Sequence, residues 1–116
     1  SQAADIIKTY FERYPGIKTY MEECKEKARA LGYVETLFGR RCHIPGINDR
    51  NPVIRGGAER QAINAPLQGS NADIIKKAMI QIDAIIQSQA YKARLLLQVH
   101  DELLFEIPDD EMSVLL

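Results

Sequence analysis

The sequence is poor in the residues that build covalent or metal-clamped frameworks. Two cysteines occur in 116 residues, Cys24 and Cys42, and their separation matches no zinc-ligand spacing. A disulfide scaffold and a zinc module are excluded, and reduced structural thiols in a reducing compartment are expected. No apolar run is long enough to cross a bilayer, and no charged-then-apolar leader opens the chain. A soluble intracellular chain with no membrane partner is the expectation. Internal repeats and low-complexity stretches are absent too. Lysine is missing from Arg40 to Arg60, where five arginines (Arg40, Arg41, Arg50, Arg55, Arg60) face only Asp49 and Glu59. Guanidinium groups match phosphate with a planar fork of donors, so this local excess points modestly to nucleic acid or nucleotides. A solvated loop with scattered charge is the plainer account.

What is present suffices for a core: 46% of residues are hydrophobic and 27% charged. The length fits one domain or a piece of a larger one, and the closing Met112–Leu116 run reads as the opening of a helix. Residues 2–14 place Ala3, Ile6, Ile7, Tyr10, Phe11 and Tyr14 on one helical face. Pro15-Gly16 interrupts, and a second stripe (Ile17, Tyr20, Met21, Cys24, Ala28, Leu31) runs to Gly32, which suits a left-handed cap. Tyr33 to Pro45 reads as a hairpin turning near Gly39. Residues 46–57, with Pro52 and three glycines, read as a loop or disordered connector. A helical pattern resumes at Ala58, is broken by Pro66 and Gly69, and restarts near Ser70 with a capping-box-like Ser70-x-x-Asp73. Its stripe (Ile74, Ile75, Ala78, Met79, Ile82, Ile85, Ile86) is expected to be core. Leu95–Val99 is apolar enough to be covered on both faces, and Glu102–Ile107 alternates with the period of a half-buried strand. The fold class is α+β, with helices packed on an antiparallel β-hairpin.

Between those two strands stands His100-Asp101-Glu102. A two-residue hairpin turn prefers Asn-Gly or Asp-Gly, whose central residues accept positive φ. His-Asp breaks that preference, and such violations gather at functional sites. Adjacent carboxylates repel one another, and a divalent cation between them relieves the repulsion. Magnesium needs only one or two carboxylates when substrate phosphates complete its shell. An exposed acidic turn with no ligand remains the alternative.

Arg60, Asn64 and Gln68 are spaced i, i+4, i+8 and all carry side-chain donors. The DNA minor groove offers acceptors at every base pair nearly independently of sequence, so a donor row could hold any duplex. A polar outer helix face has the same spacing, and that reading stays open.

Taken together, these segments carry a resemblance. Gln98-Val-His-Asp-Glu-Leu-Leu-Phe-Glu is similar to the palm carboxylate motif of family A DNA polymerases, the bacterial DNA polymerase I type. Glu59 to Lys76 resembles the family's palm helix motif. Tyr10-Phe-Glu-Arg-Tyr-Pro-Gly and Gly32-Tyr-Val-Glu-Thr-Leu-Phe-Gly-Arg-Arg follow its pattern, so essentially the whole chain is covered. The resemblance implies a truncated piece of a right-hand polymerase. Residues 1–32 would adjoin the fingers and 33–116 would be palm. The implied activity is template-directed addition of deoxynucleotides to a primer 3′-hydroxyl in replication and repair. Two magnesium ions would serve it, with Asp101 as ligand and Glu102 in support. His100 would contact the primer terminus. Arg60, Asn64 and Gln68 would line the primer–template duplex, and Arg40 and Arg41 would approach the template backbone. Primer–template DNA and deoxynucleoside triphosphates are the implied partners, in a cytoplasmic, nucleoid-associated setting. The family's other catalytic aspartate and its triphosphate-gripping fingers helix are not in this chain. Ser70-Asn71 stands where Thr-Ala is common, and Cys42 where a third arginine is frequent. The isolated piece is therefore expected to be inactive, and its exposed half-core to favour self-association. A metal-dependent nuclease using Asp101 and Glu102, or a non-catalytic DNA-binding module, are the competing classes.

Overall fold

Helices α1 (Gln2–Arg13) and α2 (Pro15–Leu31) follow one another with only Tyr14 between them. Pro15 occupies the first position of α2, where its missing N–H costs nothing. Gly32 ends α2 in the left-handed conformation, φ 78°, with its N–H on the Ala28 carbonyl. The chain then forms the antiparallel pair β1 (Tyr33–Glu35) and β2 (Arg41–His43), in register Tyr33↔His43. Next comes α3, unbroken from Pro52 to Ser88. A second antiparallel pair follows, β3 (Arg94–Val99) and β4 (Glu102–Glu106), then a 3₁₀ turn (Asp109–Glu111) and the short α4 (Met112–Leu115). The computed structural model describes residues 1–116 and divides them into two compact units, Ser1–Ser70 and Asn71–Leu116. The α+β class and both hairpins stand as expected from the sequence.

Two expectations fail on α3. Residues 46–51 are loop as expected, but 52–57 are helix: Asn51 caps α3, its Oδ1 accepting the Val53 N–H at 3.0 Å, and Pro52 opens it. Asp49 Oδ1 in turn accepts the Asn51 N–H at 2.7 Å, and the Arg55 guanidinium donates to the Asp49 carbonyl at 3.1 Å. The helix also does not break at Pro66 or restart at Ser70. Proline removes one N–H and crowds the carbonyl four residues earlier, a cost of about 3 kcal/mol in an unsupported helix. Here the Tyr20 hydroxyl reaches from α2 to the neighbouring Ile63 carbonyl at 2.8 Å and supports the opened turn. Ser70 lies inside the helix, and its hydroxyl serves a different backbone group.

The first unit holds the core: Ala28 of α2, Val34 of β1, Ile44 and Ile47 beyond β2, and Ala58 and Ala62 of α3. Three of these six are alanines, which lets the helices approach the hairpin closely. The second unit buries far less. Of its apolar side chains only Ile86 and Ala93 are fully buried. The expected core stripe of α3 is half-buried along Ile75, Ala78, Met79 and Ile82, while Ile74 and Ile85 are exposed. Leu96, Leu97 and Val99 are exposed as well, so β3 is not covered on both faces. Ile82, Ile85 and Ile86 of the stripe, with Phe105, Ile107 and Leu115, instead line an open apolar cavity of about 310 Å³.

Burial, then a hydrogen bond with Cys24 and that thiol's charge, hold the Tyr20 hydroxyl far above the ordinary tyrosine value of 10.0. The neutral hydroxyl is the form that donates to Ile63, so its stabilisation is complete below pH 10 and declines as pH rises beyond that. Tyr20→Phe is expected to cost about 1 kcal/mol at neutral pH. In urea unfolding, the gap between wild type and variant narrows above pH 10; a gap that widens there contradicts the assignment.

Candidate nucleic-acid interface and carboxylate hairpin

The sequence-predicted residues fall into both units. Arg40, Arg41, Arg60, Asn64 and Gln68 belong to the first, and His100, Asp101 and Glu102 to the second. Because α3 continues through Pro66, Arg60, Asn64 and Gln68 form one row on one face, about 12 Å long at 1.5 Å per residue. All three are exposed. Glu59, the nearest acid to this row in sequence, is held by Arg29 at 2.9 Å. Arg60 therefore faces solvent with its neighbouring carboxylate already engaged.

The arginine excess sorts into distinct roles. Arg55 is half-buried on the Asp49 carbonyl and serves the helix start. Arg40 is exposed, with Nη2 3.3 Å from the Gly69 carbonyl, directly after Gln68. Arg41 lies over the Tyr33 ring at 4.7 Å, and His43 meets that ring edge-on at 5.9 Å. The ring contact positions the guanidinium while Arg41 stays exposed, an arrangement that suits a phosphate. Tyr33 was not legible as a site residue. The cross-strand pairing Tyr33↔His43 with Arg41 two residues away is the signal that could have found it.

In the second unit, β3 and β4 pair from Arg94↔Glu106 to Val99↔Glu102, with Leu96 bulged out of the ladder. A bulge of this kind bends and twists the strand that carries it. The two-residue turn is His100-Asp101, and His100 alone has positive φ, 54°. An Asn-Gly turn would have both central residues positive; a turn with only its first central residue positive has the φ pattern of type II′. That position normally falls to glycine. Gln98 Nε2 donates to the His100 carbonyl at 2.7 Å and fixes the turn from below. At the strand base, the Glu111 carboxylate accepts the Lys92 and Ala93 N–H groups at 2.8 to 3.1 Å. The Asp101 and Glu102 side chains are exposed, and neither carboxylate makes an internal hydrogen bond or ion pair. No third histidine, cysteine or acid joins them in a metal-binding group.

Comparison with known proteins supplies the context. Residues 1–115 match the family model described as DNA polymerase family A. The chain is 57% identical to DNA polymerase I of Streptococcus pneumoniae serotype 4 (strain ATCC BAA-334 / TIGR4), covering 96% of this chain and 13% of that protein. It is 55% identical to DNA polymerase I of Rhizobium leguminosarum, covering 97% and 11%. Among solved structures, the POL domain of Pol1 from M. smegmatis, in complex with DNA primer-template and dNTP, is similar with a TM-score of 0.93. That likeness has 44% identity and covers 97% of this chain and 20% of the other. The chain thus spans roughly an eighth of the curated relatives' length.

Left-handed φ at a non-glycine residue costs on the order of 1 kcal/mol. His100→Gly is expected to leave the thermal unfolding midpoint unchanged or raised. A lowered midpoint would assign the His100 side chain a structural role.

Proposed function

Because the chain belongs to DNA polymerase family A, we propose that it is the part of a template-directed DNA polymerase that grips the primer–template duplex and presents one of the catalytic carboxylate pairs. The parent adds deoxynucleotides to a primer 3′-hydroxyl in DNA replication and repair. Residues 1–32 adjoin the fingers, and 33–116 belong to the palm. The observation that carries this reading is the bare acidic tip: Asp101 and Glu102 stand exposed and unpaired at the end of a braced hairpin whose turn departs from ordinary turn chemistry.

The donor set fits magnesium. Asp101 and Glu102 offer only hard oxygen ligands, and one or two carboxylates suffice when water and phosphates fill the remaining positions. Asp101 would ligate, Glu102 would support, and a further carboxylate from elsewhere in the parent would complete a site for two ions. When bound, such ions lower the pKa of the attacking hydroxyl and neutralise charge on the phosphoryl group. The protein's own groups do the holding. Arg60, Asn64 and Gln68 offer donors toward minor-groove acceptors of any sequence, Arg40 and Arg41 toward the template backbone, and His100 toward the primer terminus. The cytoplasm and its nucleoid are the setting. The 116-residue piece alone is inactive, and its exposed apolar strands favour self-association.

In the intact parent, Asp101→Asn is expected to lower extension about a thousandfold, the several kcal/mol that cation stabilisation supplies, with DNA affinity kept. Arg60→Ala should weaken primer–template binding about fivefold to tenfold, equally across sequences, in fluorescence-anisotropy titrations. Extension rates unchanged in both variants would refute the role assignments.

A further inference from the structure

The turn between β1 and β2 is built around one buried side chain. Thr36, 5% exposed, receives the Phe38 and Arg40 N–H groups on its Oγ1, each at 3.3 Å. Its own N–H donates to the Arg40 carbonyl at 3.0 Å, and its carbonyl accepts the Gly39 N–H at 3.0 Å. Four hydrogen bonds close Thr36–Arg40 into one stiff piece.

That piece meets α3 at Gly69 and Ser70. The Leu37 N–H donates to the Ser70 hydroxyl at 2.9 Å, and Ser70 is 6% exposed. Arg40 Nη2 donates to the Gly69 carbonyl at 3.3 Å. A Cβ placed on Gly69 would meet the Thr36 Cγ2 methyl at 2.6 Å, inside any real carbon contact, with Arg40 Nη2 at 3.2 Å and Cys42 Sγ at 3.6 Å. Gly69 sits within a helix, where glycine costs up to about 1 kcal/mol relative to alanine. The close approach is the physical reason for its presence.

We infer that Gly69, Thr36 and Ser70 are positioning residues for primer–template binding: the Thr36–Arg40 turn seats on the bare backbone at Gly69, and this fixes Arg40 beside Gln68 at one spacing. The inference rests on the proposed DNA contacts of Arg40 and Gln68. Duplex phosphates and minor-groove acceptors keep a fixed spacing, so two donors reading them must be held at a matching one. Arg40 is on a turn and Gln68 on a helix, and the seat is the connection between them. The Ser70 hydroxyl is the part of that residue the seat uses, and threonine would supply it equally.

The test uses the intact polymerase. Gly69→Ala is expected to raise the primer–template Kd about tenfold, within the range for overpacking a tight contact, with kcat at saturating DNA within about twofold of wild type. Thr36→Ser deletes the methyl that the new Cβ would strike hardest and keeps the Oγ1 acceptor, leaving Arg40 Nη2 at 3.2 Å, the end of a flexible side chain that can give by a few tenths of an ångström. The double variant Thr36→Ser/Gly69→Ala is therefore expected to bind within about twofold of wild type. Ser70→Ala, which introduces no clash, should raise Kd about threefold to tenfold, and Ser70→Thr should restore it. Kd unchanged in Gly69→Ala or Ser70→Ala overturns the inference, as does a double variant that stays weak. Arg40→Ala and Gln68→Ala run alongside. If those two bind DNA normally, the proposed contacts fail, whatever the glycine series shows.

Discussion

Continuity of α3 is the constraint on which the rest of the first unit depends. The helix passes through Gly56, Gly57, Pro66 and Gly69, four residues that would each weaken it in isolation. It persists because neighbours meet the specific deficits. Asn51 satisfies the first turn, and the Tyr20 hydroxyl takes the Ile63 carbonyl beside the gap left by proline. At Gly69, packing makes use of the missing side chain. If the helix broke at Pro66, Gln68 would leave the line of Arg60 and Asn64. An extended donor row is thus a tertiary product, made by α2 and the first hairpin as much as by the helix sequence.

This explains which parts were legible from residues alone. The α1 and α2 stripes, the Gly32 cap, the turn at Gly39 and the hairpin around residues 100 and 101 all arise from local chemistry, and local patterns reported them. Local patterns mislead where long-range contacts reverse a local preference. Pro52 looked like a loop residue and is a helix start. Pro66 and Gly69 looked like breakers and lie inside a helix. Ser70 looked like a cap, yet its hydroxyl receives an N–H from Leu37, more than thirty positions earlier in the chain. Among the arginines, composition could not separate Arg55, engaged at the helix start, from exposed Arg60 and stacked Arg41, because partners rather than residue type distinguish them.

The two units differ in how they are held. The first has a small but closed core, with Val34 and Ile44 almost wholly shielded among alanines. The second leaves Leu96, Leu97, Val99 and Leu104 about half-exposed. Full burial of such a side chain is worth roughly 1.5–3 kcal/mol, so the hairpin forgoes a substantial part of that stabilisation. Backbone groups compensate: the β3–β4 ladder, the Gln98 brace and the Glu111 carboxylate on two amides at the strand base. Two-stranded hairpins are marginal in water without such support. The polar bracing therefore sits at the two ends of the hairpin, base and tip.

The tip brace has an electrostatic consequence. Gln98 directs its amide donor to the His100 carbonyl, so the neighbouring acids receive nothing from it. Along β3 and β4 the sole cation is Arg94, at the far end, about 17 Å from Val99 at strand rise and directly opposite Glu106. That distance exceeds the screening length at physiological salt, so Arg94 does little to neutralise Asp101 and Glu102. Their charge is left to whatever approaches from solvent. A tip whose only need was stability would place glycine at the left-handed position and a lysine across from the acids. This one has histidine at that position and bare carboxylates beside it, and both choices favour a cation and a polar ligand arriving together over a hairpin that is stable alone.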